Sequence, residues 1–168
     1  MDLSAKLAEK ISNVVAEKGS TLVAKVLTRE DRIAKIKQVI GGKTLPVVSV
    51  NISEHHYGPH IIDPAANTEL TLILQQSGFK VVDGDSKLKP DVQISGEAFS
   101  AYGMQKGNLI SCKSRVEVKV SEVATGKLLF VDRQTSVGVD IAEQTAAKTA
   151  LENATDTLAE RLLPKLAQ

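Results

Sequence analysis

The sequence predicts a single α+β domain: a mixed, mostly antiparallel sheet with helices packed on it and a long helix at the C-terminal end. Two observations carry this. Apolar residues recur at helical spacing in the first forty residues, in a middle segment and at the C-terminal end. Between them lie β-branched runs, the clearest of which alternates strictly with charged residues over 115–120. Helices and strands are not interleaved regularly, as a parallel α/β fold would require.

The helical elements come with start and stop signals. Leu3, Leu7, Ile11 and Val14 make one apolar stripe. Thr28 is an N-cap with Asp31 three residues on, Ile33, Ile36 and Ile40 form the next stripe, and Gly41-Gly42 ends it. Asp63-Pro64 pairs an N-cap with a proline at the first helical position, and that helix runs through Leu70, Ile73 and Leu74 to Ser77-Gly78. Asp140 and Glu143 make a further capping pair. They precede a helix with Ala147, Leu151, Ala154, Leu158 and Leu162 on one face, which Pro164 is expected to end.

Strand character begins at Leu45 and is expected to last to Ile52, with a short strand at Phe79–Val82. A strand from Val92 is expected to end near Ala101, and a loop then carries Tyr102, Gly103, Met104 and Gly107 at a hairpin tip. Val116, Val118 and Val120 mark the buried face of the next strand. Ala124-Thr125-Gly126 turns the chain into a returning strand over Leu128–Val137. Residues 1–43 read as an N-terminal helical segment and residues 44–168 as the α+β domain, one compact unit overall.

Composition narrows the function classes. Lys and Arg number 21 against 20 Asp and Glu, and the signs are interspersed, so the clustered positive charge of a nucleic-acid binder is missing. No apolar stretch approaches the ~20 residues that span a bilayer. Cys112 is the single cysteine, which excludes an intrachain disulfide and a cysteine-based zinc site. Met1-Asp2-Leu3-Ser4 lacks the basic and apolar regions of an export signal, so envelope residence implies a leader trimmed from this chain, and a cytoplasmic location is the alternative.

Catalytic patterns are poor. Gly42-Lys43-Thr44 matches the tail of a phosphate-binding loop, but Lys37 stands where the first glycine belongs, and a helix precedes. No serine sits in a nucleophile elbow. His55, His56 and His60 share a predicted loop with Tyr57, where imidazoles could fold onto one metal ion or face a partner. Tyr102 and Met104 sit between glycines that would turn the chain without them, and both types favour protein interfaces. No cofactor is expected. Partner-binding candidates are therefore Tyr102, Met104, His55, His56 and Tyr57. A metal or small-ligand site using His55, His56 and His60 is the alternative.

Pro90-Asp91-Val92-Gln93-Ile94-Ser95-Gly96-Glu97, Ser114 to Val120, the turn Thr125-Gly126-Lys127-Leu128-Leu129 and the Ala-rich stretch from Ala142 to Leu163 occur in an order with a precedent. From about Leu45 onward the chain resembles a bacterial envelope family that includes curli-secretion (CsgG-type) lipoproteins and lipoprotein activators of penicillin-binding proteins. The resemblance implies an α+β sandwich, a periplasmic or envelope location, and a non-catalytic assembly role through binding a protein partner. It is compatible with a homo-oligomer. The loops at 53–62 and 102–108 are too short for membrane-inserting hairpins, whose strands need ~9–11 residues each.

Overall fold

The computed structural model describes residues 28–56 and 63–168. The predicted first helix, Tyr57 and His60 lie outside the described residues. In order, the elements are α1 (Arg29–Ile40), β1 (Val47–His56), α2 (Ala65–Gln76), β2 (Lys80–Val82), β3 (Val92–Lys106), β4 (Leu109–Glu122), β5 (Leu128–Asp140) and α3 (Glu143–Leu166). The five strands form one sheet in the order β2-β1-β3-β4-β5. Strand β1 runs parallel to both its neighbours, and β3, β4 and β5 form an antiparallel meander. The predicted α+β fold with a mixed sheet and a long last helix is the one observed.

Alternation places the core. Val48 pairs with Val92, Ile94 with Val120 and Ala98 with Val116, so all six point to the same face, and all are buried. Leu70, Ile73 and Leu74 of α2 pack against that face, as do Leu151, Leu158, Leu162 and Leu163 of α3. Among the described residues, no element covers the other face, where Asn51, Glu97, Lys113, Arg115 and Lys119 are exposed.

Small residues let α3 approach the sheet closely. A Cβ added to Gly138 would lie 2.2 Å from the Ala146 carbonyl oxygen and 2.5 Å from the Ala150 nitrogen, so only glycine fits there. Beside it the Ser114 hydroxyl donates to the Ala150 carbonyl at 2.6 Å. Farther along, the Arg161 guanidinium meets Asp132 through Nη2 at 3.0 Å and Nε at 3.2 Å, and its Nη1 donates to Gln134 Oε1 at 2.9 Å. Burial pushes the Asp132 carboxyl up, but the Arg161 and Arg133 N–H bonds outweigh this and hold it below the usual aspartate range.

Several boundaries differ from expectation. The Thr28–Asp31 capping box forms, with Asp31 N–H donating to Thr28 Oγ1 at 3.2 Å and Thr28 N–H to Asp31 Oδ2 at 3.2 Å. Asp63, however, does not cap α2. Pro64 occupies the N-cap and makes no side-chain cap. Ala142 is the N-cap of α3, and Asp140 instead accepts the Ala142 N–H at 3.1 Å. Helix α3 continues through Pro164 to Leu166, because a proline in the last turn forfeits a single N–H bond while its neighbours remain packed. Strand β1 reaches His56, so His55 and His56 lie on a strand and not in a loop. The expected loop at Tyr102–Asn108 is strand up to Lys106, with Gly107 (φ 60°) and Asn108 as a two-residue turn.

Candidate functional site

Among the described residues, pairing of β1 with β3 runs as far as His56–Ser100, and β3, β4 and β5 continue beyond it as a three-stranded arm. Gly103 is the extra residue of a β-bulge: Tyr102 pairs with Cys112, and the next pair is Met104 with Ser111. The Ser111 hydroxyl seals the bulge, accepting from the Met104 N–H and donating to the Met104 carbonyl, both at 3.1 Å. One consequence is that Tyr102 and Met104 lie on opposite faces of the sheet. Tyr102 shares the helix-side row of Cys112 and Gly138, whereas Met104 is rotated onto the open face beside Ser111 and Val139.

Register then assembles an apolar patch on the open face of the arm. Phe99 sits in a row with Arg115, Ala101 with Lys113 and Val137, Met104 with Val139, and Leu109 with Lys106. Met104 is 66% exposed, and Phe99, Leu109, Val137 and Val139 are each about half exposed; Ile141, just past β5, is 74% exposed. Contiguous exposed apolar surface rimmed by polar groups marks an interaction site more often than scattered single residues do. Lys106 and Arg115 border it, and Lys113 stands within it, between Ala101 and Val137. Toward the middle of the sheet the same face is a shallow cavity of ≈ 580 Å³ lined by Glu97, Phe99, Arg115, Glu117 and Lys119. There the Arg115 hydrogen bond and charge hold the Glu117 carboxyl below its ordinary range.

The helix side holds a second, smaller cavity of ≈ 260 Å³, between the end of β1 and the start of α3. Glu54 points inward from β1 and is 2% exposed. Its Oε2 accepts the Ala66 N–H at 2.9 Å, supplying from a neighbouring strand the N-terminal cap that α2 lacks. Burial pushes its pKa up, while the N–H bonds of Ala66 and Ala65 and the charge of Lys148 pull it partly back. Lys148 itself is paired with Asp63 across the cavity mouth.

His56 lies beside Glu54 in sequence but bridges outward. Its Nδ1 is 2.8 Å from Ser100 Oγ, and its Nε2 is 3.3 Å from Glu143 Oε1. These are the residue types of a hydrolytic triad, yet Ser100 is buried in mid-strand and 1% exposed, with no turn to present it. The contacts tie β1, β3 and α3 together. His55 projects to the other face in the row of Phe99, so the strand sends the two histidines to opposite sides. Among the described residues there is no group of three His, Cys, Asp or Glu placed to hold a metal ion. No helix of the described residues is long and apolar enough to cross a membrane.

No family model matches this sequence, and no curated protein matches it. Solved structures that it resembles include a DUF330-family protein from Xanthomonas campestris, at 13% identity and a TM-score of 0.48 over 72% of this chain and 82% of that one. Another is the PelC dodecamer from Paraburkholderia phytofirmans, at 14% identity and a TM-score of 0.48 over 73% and 88%. A minor lipoprotein from Acinetobacter baumannii matches at 15% identity and 0.44 over 74% and 92%. Likenesses of this size assign no family.

Proposed function

We propose that this chain is a non-catalytic adaptor of the bacterial cell envelope that binds a protein partner through the open face of its three-stranded arm. The observation that carries the reading is the set of exposed apolar side chains, Phe99, Met104, Leu109, Val137 and Val139, placed on one face by the strand register and the Gly103 bulge. The surface is flat and half apolar, which suits a protein surface better than a small molecule, whose sites are concave and enclosing. Support for the envelope comes from the ordered motifs between Pro90 and Leu166 that resemble secretion and cell-wall-synthesis lipoproteins. Tyr102, on the helix side of the arm, lies outside the docking face.

The test is capture of partners from a bacterial envelope fraction, with Met104→Asp/Val139→Asp compared with Tyr102→Ala. The double charge substitution is expected to abolish capture of specific proteins while leaving the circular dichroism spectrum unchanged, since both positions are solvent-facing. Tyr102→Ala is expected to capture as the unmodified chain does. Equal capture by all three proteins would remove the open face as the docking surface.

A further inference from the structure

Strand β5 ends the sheet, and an edge strand offers unpaired backbone groups to any strand that approaches. At 13 residues with no proline, β5 is long for an edge strand, and a bulge at Leu129 interrupts it only near its start. Antiparallel alternation turns the backbone groups of every second residue outward, and contacts at Arg133 identify which set. The Arg133 N–H bonds to Asp132 Oδ1 at 2.8 Å, and its carbonyl accepts from Arg161 Nη2 at 3.2 Å. Neither group is then left for β4, so Val131, Arg133, Thr135, Val137 and Val139 face outward with their backbones. The Thr135 carbonyl is covered as well, accepting from Gln134 Nε2 at 3.0 Å.

We propose that the β5 edge is a pairing surface for a second copy of this chain, and that Arg161 holds it closed. The order of side chains along β5 is self-complementary in one antiparallel register, with Gln134 opposite its own copy. Val131 then faces the second copy's Val137, and Arg133 faces its Thr135, while the bulge at Leu129 ends the regular register. Over 131–137 the two valines meet and no like charges stand opposite each other. Sliding by one outward pair in either direction sets Arg133 against Arg133, or against Val137. Formation of the central backbone bonds requires the Arg133 and Thr135 groups that Asp132, Gln134 and Arg161 now occupy. Arg161 grips both Asp132 and Gln134, so it sets the position of all three guards.

Light-scattering mass measured across a concentration series tests this. The unmodified chain sets the baseline, at which the β5 edge is expected to be unpaired: Val131→Lys/Val137→Lys should leave its mass unchanged. Arg161→Ala is expected to double that mass. Gln134→Ala, which uncovers the Thr135 carbonyl without breaking the Arg161–Asp132 pair, is expected to move in the same direction, and it decides the matter should Arg161→Ala fail to fold. In the Arg161→Ala background, Val131→Lys/Val137→Lys sets like charges opposite each other and should return the baseline mass, while Val131→Lys/Val137→Glu should keep the doubled one. Baseline mass in both folded single variants overturns the proposal, as does a doubled mass that survives the double lysine substitution. An unmodified chain whose own mass halves on that substitution shows an edge that Arg161 does not close.

Discussion

Glu54 offers the most discriminating test of the packing, because removing its carboxyl and removing only its charge have different consequences. In Glu54→Ala the Ala66 N–H loses its acceptor at the buried start of α2. Loss of a helix N-terminal cap costs about 0.5–2 kcal/mol, and a buried donor left unpaired costs about 1–3 kcal/mol; these overlap, so a net loss of about 2–3 kcal/mol follows. For a domain of this size that is a fall in melting temperature of roughly 5–10 °C. Glu54→Gln keeps an acceptor of the same reach and should cost less than about 1 kcal/mol. The two proteins should also diverge with pH. Glu54 has a pKa raised on folding, so its stabilising contribution is complete below about pH 4.5 and is lost as pH rises through the folded value. Urea unfolding at a series of pH values should therefore show Glu54→Gln gaining on the unmodified protein as pH rises from that point. A difference that is flat with pH, or that moves the other way, would show that Lys148 and the helix amides outweigh burial. The electrostatic account given for the cavity would then be wrong.

Two further outcomes follow from the sheet. Val118→Asp should abolish cooperative unfolding, because it sets a carboxylate among Ile94, Leu158 and their neighbours without a partner, whereas Glu117→Ala on the exposed face should leave the melting temperature essentially unchanged; equal tolerance in a thermal melt would contradict the β4 register. Gly138→Val should destabilise the domain by at least about 3 kcal/mol in chemical denaturation, since the backbone of α3 and not a yielding side chain occupies the space; near-neutrality would mean that α3 stands off the sheet.

The sequence was legible where one face of an element is buried and the other wet. Strict alternation over 115–120 and the Ala/Leu stripe of α3 are direct imprints of such a boundary, and both elements form where expected. The arm was misread for the same reason. Beyond β1, neither face of 101–106 is packed against a core, so no alternation is selected, and the bulge at Gly103 shifts the phase in the middle. Likewise Ser53 to His56 looks like loop because polar residues occupy both faces of a strand end. Glu54 was invisible as a cap, since its acceptor role depends on α2 arriving twelve residues later. The Ser100–His56–Glu143 contacts join positions 44 and 87 residues apart, which no local pattern reports.

The dependence of the sheet on α3 also orders the events of folding. Leu151, Leu158, Leu162 and Leu163 cover the faces of Val116, Val118 and Ile94, and Gln168 pairs with Thr44, its N–H to the Thr44 carbonyl at 3.2 Å and its carbonyl accepting the Thr44 N–H at 2.9 Å. A nascent chain that has emerged only as far as β5 therefore holds a meander with one apolar face bare and a long unguarded edge, because Arg161 has not yet been made. Such an intermediate is a substrate for chaperones and for wayward strand addition alike. The helix that completes the core also carries the residue that shuts the edge, so burial and protection arrive in a single docking step.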